Sequence, residues 1–582
     1  MKQKIELILS KSFESLSKED QLTIPEGFTI AIERPRDQSH GDFSSNVAMV
    51  LTKLVGKPPR VLAERLIAHI PPDIDIERID IAGPGFINFT LSHRALETEL
   101  NTIWDSAHCG VLPIDKPSIV VVDYSSPNLA KEMHVGHLRS TIIGDALVQT
   151  MELKGYQVIR QNHIGDWGTQ FGMLLAHFED EKKIHTGTIQ LNDLEAFYKA
   201  AKQRFDTEPT FAERAREQVV LLQSGDEHCL NLWATFINLS LAHCQDIYKR
   251  LGVSLQPKDI KAESAYNTEL PKIVDALRQQ GLLVEHEGAQ CVFLDEFKGK
   301  DNETLPTIVQ KKDGGFLYSS SDLAAIQYRQ TVLNADRALY VVDARQSLHF
   351  QQIFALGHKA GFAEPTMHLE HISFGMVLDK SGKPFKSREG SVIKLVDLLD
   401  EAERRARALI ETKQTTSFPP EELDTIAKTL GIASIKYADL SKNRTSDYIF
   451  DWDSMLSFEG NTAPYLLYAS TRVQRLFEKA GLTLDALDAP IIFKSSPDLL
   501  LAKQIILFPE IIDAVVQKAS PHLICTYLYE LAGLFSSFYE ACPILNQEDN
   551  ELKMSRLKLA GLTLRVLELG LSLLGIQTLK RM

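Results

Sequence analysis

One apolar run constrains the fold of this chain more than any other feature. Residues 118–124, SIVVVDY, are apolar up to a polar end, which is typical of a strand buried on both faces of a parallel sheet. The loop SSPN follows, then a helical pattern from about Met133 to Lys154 and a second strand pattern at 156–164. Strand, loop, helix and strand form a βαβ unit. The sequence therefore predicts an α/β fold with a doubly wound parallel sheet.

The rest of the chain predicts two further domains. Residues 1–112 read as a small α+β domain, because FTIAIERP (28–35) and GFINFTL (85–91) alternate apolar and polar residues as half-buried strands do. The sheet domain is predicted over 113–455, with a helical, charge-rich insertion at about 175–262. Residues 456–582 show long amphipathic periods and predict an all-α bundle.

Composition excludes several classes of protein. No stretch of the 582 residues approaches the ~18–20 uncharged apolar residues of a membrane span, and the N-terminus lacks the pattern of a signal peptide. The six cysteines never form a C-x-x-C pair, so neither a zinc site nor a disulfide framework is indicated. We expect a cytoplasmic enzyme with no membrane partner. The net charge of −14 argues against a protein that coats nucleic acid non-specifically.

The segment SSPNLAKEMHVGHLRST (125–141) lies where doubly wound folds hold ligands, after a strand and at the start of a helix. The N–H groups of a helix N-terminus suit a phosphate. His134 and His137 share one helical face, and Gly136 between them allows close approach of a ligand. The dinucleotide fingerprint and the P-loop are both absent. Taken alone, H-x-x-H suits a pair of half-buried histidines equally well.

The string HVGH resembles the HIGH signature of class I aminoacyl-tRNA synthetases, and with SSPN and Lys131 it resembles the arginyl-tRNA synthetase version. The resemblance continues through all three predicted domains in the family's order. It covers NHIGDWGTQFG (162–172), DGGFLYSSSDLAA (313–325), DARQSLHFQQIF (343–354), FGMVLDKSGKPFKSREG (374–390) and FEGNTAPYLLYASTR (458–472).

The resemblance implies a Rossmann-like, HIGH-type catalytic domain between an N-terminal domain that binds the tRNA D-loop and a C-terminal anticodon-binding domain. The implied reaction converts L-arginine and ATP to arginyl-adenylate, then transfers arginine to the 3′-terminal adenosine of tRNA(Arg), releasing AMP and pyrophosphate. It also implies that tRNA binds before activation, that Mg²⁺ accompanies ATP, and that the enzyme is a monomer without zinc.

One signature departs from the family pattern. The second class I signature, KMSKS, aligns here with PFKSR (384–388), so Pro384 and Ser387 replace its two lysines. Lys131 resembles the compensating cation. The segment from Lys380 to Lys394 still carries five basic residues and one acidic residue, a net +4 that suits phosphates. The better match KMSRL (553–557) lies in a helical pattern, and we interpret it as a decoy.

The resemblance also assigns roles to individual residues. The catalytic set is Lys131, His134, Gly136, His137 and Lys386. The arginine set is Asp123, Ser125, Asn128, Tyr318, Asp322 and Gln346, with Asp322 and Asp123 facing the guanidinium. The ATP set is Pro127, His134, Gly136, His137, His349, Gly375, Met376, Lys386, Ser387 and Arg388. The tRNA set is Phe86, Asn88, Tyr465, Tyr468 and Arg472.

Several of these assignments have plainer alternatives in the sequence. Asp322 also suits a helix N-cap, Phe86 a contact under a helix, and the C-terminal tyrosines a packed aromatic stripe. Asp166 and Gln170 could face the nucleotide or the terminal adenosine, and Trp167 suits the core as well as the site. Other class I enzymes fit less well, since a cysteine enzyme needs zinc-binding thiolates and a glutamate enzyme needs a basic pocket. A non-catalytic RNA-binding paralogue would be expected to lose the histidines or SSPN.

Overall fold

The computed structural model describes residues 1–20, 28–35, 37–184, 194–312, 314–385, 393–413 and 418–582. The predicted ATP contacts Lys386, Ser387 and Arg388 lie outside the described residues. The strands are β1 (Phe43–Ser45), β2 (Ile76–Ala82), β3 (Phe86–Leu91), β4 (Ile119–Asp123), β5 (Gln157–Gln161), β6 (Val284–His286), β7 (Ala289–Lys298), β8 (Thr304–Gln310), β9 (Arg337–Tyr340), β10 (His368–His371), β11 (Val377–Leu378) and β12 (Tyr448–Ile449).

Helices make up most of the remaining described residues. They are α1 (Lys2–Asp20), α2 (Val47–Val55), α3 (Pro59–Ala68), α4 (His93–Asp105), α5 (Val135–Leu153), α6 (Thr169–Ile184), α7 (Leu194–Thr207), α8 (Pro209–Ser224), α9 (Glu227–Leu251), α10 (Leu270–Gln279), α11 (Tyr318–Thr331), α12 (Ser347–Lys359), α13 (Leu395–Lys413), α14 (Pro420–Leu440), α15 (Trp452–Met455), α16 (Ala463–Ala480), α17 (Ser496–Ile506), α18 (Phe508–Lys518), α19 (His522–Ala541) and α20 (Asn550–Leu573).

The chain forms two compact units. One contains residues 1–110, 480–507 and 534–562, and the other contains residues 111–479, 508–533 and 563–582. Each unit therefore draws on the C-terminal helices. The predicted domain boundaries at 112 and 455 stay a prediction.

The larger unit is built on the predicted parallel sheet. Its four strands lie in the order β10-β9-β4-β5, all parallel. From β4 the chain passes through α5 to β5 on one side, and the later strands β9 and β10 lie on the other side. The carboxyl ends of β4 and β9 therefore form a topological switch point, where open α/β sheets bind ligands.

Close packing of α5 on the chain after β4 requires a glycine. A Cβ atom at Gly144 would lie 2.3 Å from the Cβ of Tyr124, so only glycine lets the helix approach at this position. Arg139 on the same helix is buried and ion-paired with Asp439 of α14 at 3.1 Å. These contacts hold the N-terminus of α5 at the switch point.

A second sheet of the larger unit is antiparallel. The segment QCVFLD (290–295) belongs to its strand β7, and the strand order is β6-β7-β8. Its hairpin turns at Glu287 and Gly288, both with positive φ, as in the tight turns that match strand twist. The predicted strand at 28–35 is wrong, because the only ladder pairing that these residues make within the described part of the chain is an isolated bridge between Glu33 and Ser44.

The smaller unit has a three-stranded antiparallel sheet, β1-β3-β2. The predicted apolar face of β3 is confirmed, since Ile87, Phe89 and Leu91 are at most 2% exposed, but the opposite face is only partly open, since Asn88 is 3% exposed. KMSRL lies inside α20, where Arg556 is buried and paired with Asp498 of α17 at 3.1 Å. This segment is therefore part of a structural helix, which agrees with the interpretation that its match to KMSKS is a decoy.

The described residues include no helix that is both long and apolar enough to cross a membrane. The same residues include no group of three or more His, Cys, Asp or Glu side chains that could hold a metal ion.

Candidate active site

The two histidines of HVGH lie at the start of α5 and bond to the backbone there. His134 is the N-cap, and its Nδ1 accepts a hydrogen bond from Gly136 N at 3.1 Å. His137 Nδ1 accepts from His134 N at 3.1 Å, and the two ring centres are 4.0 Å apart. Because both Nδ1 atoms accept, each neutral ring carries its proton on Nε2. The pair can therefore donate two hydrogen bonds to a phosphate.

The pKa of His137 favours this neutral form. Burial, the adjacent His134 ring and the charge of Lys131 lower the pKa of His137 to about 3. His137 is therefore a hydrogen-bond donor at neutral pH, and its ring carries no positive charge there. Gly136 between the two histidines is exposed, and a Cβ atom there would lie 2.8 Å from the His134 ring.

The SSPN loop leaves the end of β4 in a rare conformation. Ser125 and Ser126 have φ values of 68° and 44°, in the left-handed region that non-glycine residues seldom adopt. Ser125 is 4% exposed, and its Oγ bonds to the Tyr248 hydroxyl at 2.8 Å. The Ser125 hydroxyl is therefore buried and partnered, and the contact of Ser125 with arginine stays a prediction. Pro127 is also buried.

Asn128 follows this loop and faces a cavity of about 450 Å³. The cavity brings together three predicted residues, Asn128, Tyr318 and Gln170, with Trp167 in its wall. Gln170 Oε1 is buried and has no hydrogen-bond partner among the described residues. The full lining is Asn128, Trp167, Gly168, Thr169, Gln170, Glu263, Asn267, Leu270, Lys311, Phe316, Leu317, Tyr318 and Ser321.

Asp166 has a packing role that the sequence left open. Its two carboxylate oxygens accept hydrogen bonds from the Ser264 N–H at 2.9 Å and the Ser264 hydroxyl at 2.5 Å. Asp166 is 2% exposed, and burial raises its pKa. Asp166 thus holds the short turn at Glu263–Tyr266 against the GDWGTQ segment.

Glu263 supplies the carboxyl group of the cavity wall, which also contains Lys311, and Asp322 acts on Glu263 through its charge. Tyr318 begins α11 and Asp322 lies one turn later, so the alternative that Asp322 is a helix N-cap is wrong. Asp322 Oδ2 bonds to His349 Nε2 at 2.6 Å. This contact brings together a residue predicted to bind arginine and a residue predicted to bind ATP. Burial, with the charges of Asp322 and Asp166, raises the pKa of Glu263 to about 8.

Sequence reasoning missed Glu263. It lies on a short 3-10 turn, Glu263–Tyr266, with no periodic pattern around it. In the structure, Glu263 lines the cavity, and the charge of Asp322 helps to raise the pKa of Glu263. These two observations identify Glu263 as a residue of the site.

Asp123, predicted to face the arginine guanidinium, bonds to other residues of the chain. Its Oδ2 accepts a hydrogen bond from Arg329 Nη2 at 2.6 Å, and its Oδ1 accepts one from Ser126 Oγ at 2.8 Å. Asp123 is 6% exposed, so a guanidinium of the chain itself occupies the carboxylate that was expected to face the substrate.

The predicted adenine segment packs tightly on the chain before β12. Gly375 N donates to Arg444 O at 2.9 Å, and Met376 N donates to Asp447 Oδ1 at 2.6 Å. A Cβ atom at Gly375 would lie 2.6 Å from the same Asp447 oxygen.

Gln346 is exposed at the start of α12, beyond the end of β9.

The ends of the basic segment come close to HVGH. Val135 N donates to Ile393 O at 3.0 Å, and Leu395 N donates to Met133 O at 2.9 Å. The residues after the KMSKS-like stretch thus pair with the start of α5. Lys131 is half-buried, with its Nζ 4.8 Å from the centre of the Tyr198 ring on α7.

The predicted tRNA contacts lie on the two separate units. In the smaller unit, Phe86 is 39% exposed while Asn88 is buried, and both line a cavity of about 420 Å³. In the larger unit, α16 begins at Ala463 as predicted and carries Tyr465, Tyr468 and Arg472. Tyr468 is 46% exposed, and Tyr465 packs on Tyr529 with ring centres 5.5 Å apart.

Family models match nearly the whole chain. The catalytic domain of class I tRNA synthetases for arginine matches residues 110–452, the DALR anticodon-binding domain matches 466–582, and the arginyl-tRNA synthetase N-terminal domain matches 1–91.

Curated relatives and solved structures agree with these matches. The arginine–tRNA ligase of Idiomarina loihiensis is 55% identical over 582 residues, and that of Alcanivorax borkumensis is 53% identical over 586 residues, with 100% of each chain covered. The arginyl-tRNA synthetase structure from Plasmodium falciparum has a TM-score of 0.84 at 30% identity, covering 100% of this chain and 99% of that one. The Thermus thermophilus enzyme, at 22% identity and a TM-score of 0.81 over the full length of both chains, shares the fold.

The two histidines at the switch point and these matches agree with one another, and the chain belongs to the arginyl-tRNA synthetases of class I.

Proposed function

We propose that the chain activates L-arginine with ATP and transfers it to the 3′-terminal adenosine of tRNA(Arg), releasing pyrophosphate and AMP. The observation that carries this proposal is the pair of imidazole donors at the start of α5, in the same unit as the cavity that Asn128 and Glu263 line. The imidazole donors suit the phosphates of the co-substrate, and the Glu263 carboxyl, once ionised, suits a cation.

The cavity binds the amino acid by its guanidinium end. Glu263 ionises when it meets the guanidinium, the charge of Asp322 acts on the same site, and Tyr318, 63% exposed, lies in the cavity wall. A planar cation is best held by carboxylates that match its fork of N–H groups. Glu263 takes the place that the sequence gave to Asp123, because Arg329 already occupies the Asp123 carboxylate. Asn128 and Gln346 bind the α-amino and carboxylate ends.

Activation is an in-line displacement at phosphorus. The arginine carboxylate oxygen attacks the α-phosphorus of ATP, the bond from that phosphorus to the bridging oxygen breaks, and pyrophosphate leaves. His134 and His137 donate Nε2 hydrogen bonds, and Lys131 and Lys386 supply positive charge to the phosphate oxygens. His349, Gly375 and Met376 hold the nucleoside, with Pro127, Ser387 and Arg388 near its phosphates. Mg²⁺ enters with ATP, since phosphate oxygens are its usual partners.

Transfer follows on the same surface. A ribose hydroxyl of the terminal adenosine attacks the carbonyl carbon of arginyl-adenylate, and AMP leaves. Positioning supplies most of the rate, so no covalent enzyme intermediate is required. The aromatic wall of the cavity at Trp167 and the unpartnered Gln170 oxygen suit a stacked base with a polar edge.

Two surfaces bind the rest of the tRNA. Exposed Phe86 beside Asn88 suits an unpaired D-loop base, and Tyr465, Tyr468 and Arg472 suit the anticodon. We further propose that tRNA binds before activation, that the chain acts as a monomer, and that it works in the cytoplasm.

ATP–pyrophosphate exchange with each amino acid, run with and without tRNA, tests the proposal. We expect exchange with arginine alone among the amino acids, dependent on tRNA. Citrulline, which is isosteric but neutral, should fail, because it would leave the buried carboxyl groups without a cation. Exchange driven by cysteine or glutamate would contradict the specificity, and tRNA binding without any exchange would indicate a non-catalytic paralogue.

A further inference from the structure

Arg329, in the last turn of α11, is fully buried and has no role in the reaction described so far. Its Nη2 donates to Asp123 Oδ2 at 2.6 Å, and its Nε donates to Gln161 Oε1 at 2.7 Å. The same guanidinium lies 4.5 Å from the centre of the Tyr340 ring.

These three partners are neighbours in the sheet. Asp123 is the last residue of β4, Gln161 of β5 and Tyr340 of β9. Asp123 is in register with Gln161 on one side and with Tyr340 on the other. One side chain therefore ties together the carboxyl ends of three adjacent strands at the switch point, where the substrates are expected to bind.

The contacts continue from Asp123 into the SSPN loop. Asp123 Oδ1 accepts from Ser126 Oγ at 2.8 Å, and Ser126 Oγ accepts from His163 N at 3.1 Å. Ser125 and Ser126 hold left-handed conformations, which persist only when their surroundings stabilise them. Two residues later, Asn128 lines the cavity.

We propose that Arg329 is a positioning residue for amino-acid binding. Its guanidinium orients Asp123, and Asp123 with Ser126 keeps the loop 125–128 in the conformation that presents Asn128 to arginine. Helix α11 thus serves the cavity twice, since Tyr318 and Ser321 in its first turns line the cavity and Arg329 lies in its last turn. This inference rests on the proposed function, since it concerns the same cavity.

The test compares Arg329→Met and Arg329→Lys in ATP–pyrophosphate exchange. For Arg329→Met we expect the arginine KM to rise about tenfold or more, because charge-assisted hydrogen bonds to Asp123 are lost. The ATP KM should stay within about twofold, since the histidines of α5 are untouched. Arg329→Lys should show a smaller rise, because an ammonium is a point donor and cannot reach Asp123 and Gln161 together.

Arg337→Met is the matched control. Arg337 is the first residue of β9, so it lies at the opposite end of that strand from Tyr340. It pairs with Glu370 of β10 at 2.6 Å. Its loss removes an ion pair from the same sheet without reaching the SSPN loop. We expect the arginine KM of this variant to match that of the unaltered chain. Thermal unfolding of every variant sets a temperature at which all are folded.

A double variant separates positioning from general stability. If Arg329 acts through Asp123, Arg329→Met should change the arginine KM much less when Asp123→Asn is already present. Fully additive effects would overturn the proposal, as would equal rises in the arginine and ATP KM or an unchanged arginine KM. If Arg329→Met does not fold, the same criteria apply to Arg329→Lys. Absence of arginine-dependent exchange in the unaltered chain would instead contradict the proposed function.

Discussion

At the scale of single residues, the raised pKa of Glu263 links arginine binding to pH. With a pKa of about 8 in the empty cavity, Glu263 is mostly protonated at neutral pH, whereas a bound guanidinium favours the ionised carboxylate. Binding therefore releases a proton. We expect the arginine KM to fall as pH rises from 6 to 8, by up to about tenfold per pH unit, and to level off above that.

The control is Glu263→Gln, which cannot ionise. Its arginine KM should be higher and nearly independent of pH over the same range. Calorimetry in two buffers of different ionisation enthalpy should detect about one proton released by the unaltered chain and none by the variant. A KM that does not change with pH in the unaltered chain would contradict this role for Glu263.

His137 should act as a neutral donor throughout the working range of pH. With a pKa of about 3, it should show no imidazole titration between pH 5 and 8 by NMR. His137→Gln, whose amide can still donate, should retain more exchange activity than His137→Ala, and both should bind tRNA nearly normally. A defect confined to tRNA affinity would contradict the assignment.

The same lowered pKa has a consequence for stability. An unfolded histidine has a pKa near 6.5, so between about pH 6.5 and 3 the unfolded chain binds the His137 proton and the folded chain does not. This group therefore lowers stability as the pH falls through that window.

At the scale of elements, the chain just before β11 packs on the chain just before β12 at a glycine, Gly375. Gly375→Ala places a Cβ atom within 2.6–2.8 Å of Asp447 and Ser446 backbone or side-chain atoms, so the chain before β12 must move. We expect the ATP KM to rise severalfold with little change in the arginine KM. Gly382→Ala is a useful comparison, because nothing lies within 4 Å of a Cβ atom there, although its φ of 77° adds some strain. A change in the arginine KM alone in Gly375→Ala would argue against an adenine site.

Elements with a local pattern could be predicted from the sequence, and those set by distant partners could not. The unit β4-α5-β5 and the start of α16 follow from short contiguous signals, and the structure confirms both. The strand expected at 28–35 is wrong, because its alternation reports burial of Ile30 and Ile32 and not ladder bonding.

The residues of the site also divide into those that a local pattern reveals and those that depend on distant partners. HVGH and its neighbours could be found from the sequence, because one helix start gathers them. The partner of Asp123 could not, since Arg329 lies 206 residues away, and no periodic signal marks such a pair. Glu263 was missed for the same reason, and the bond between the Ser125 hydroxyl and Tyr248 of α9 has no local signal either.

At the scale of the whole molecule, the net charge is −14, and a basic stretch near the C-terminus does not form the basic surface that its composition indicates. Residues 553–582 carry six basic residues and one acidic residue, which predicts a local basic surface. Arg556 and Lys558 are at most 5% exposed, however, and bond to Asp498 and Asn101 respectively. These two cations stabilise the smaller unit and are not available for electrostatic attraction of RNA.

Arg556→Met should therefore affect folding and leave RNA binding intact. It leaves Asp498 buried without its cation, which should cost about 3–5 kcal/mol and lower the unfolding temperature. Below that temperature, tRNA affinity should match that of the unaltered chain. Lys553→Met, in the first turns of the same helix, should barely change the unfolding temperature. Weaker tRNA binding by folded Arg556→Met would show that the prediction is wrong.

The make-up of the smaller unit sets an order of events during synthesis. Residues 1–110 complete this unit only with 480–507 and 534–562, for example where Lys503 pairs with Asp42 at 2.7 Å. At about 5–20 residues per second, the ribosome makes residue 480 roughly 20–75 s after residue 110. Throughout that interval the apolar face of α4, with Leu96 and Leu100, lacks its partner helix α17. The start of the chain must therefore stay soluble, unaided or held by a chaperone, until nearly the whole chain has been made.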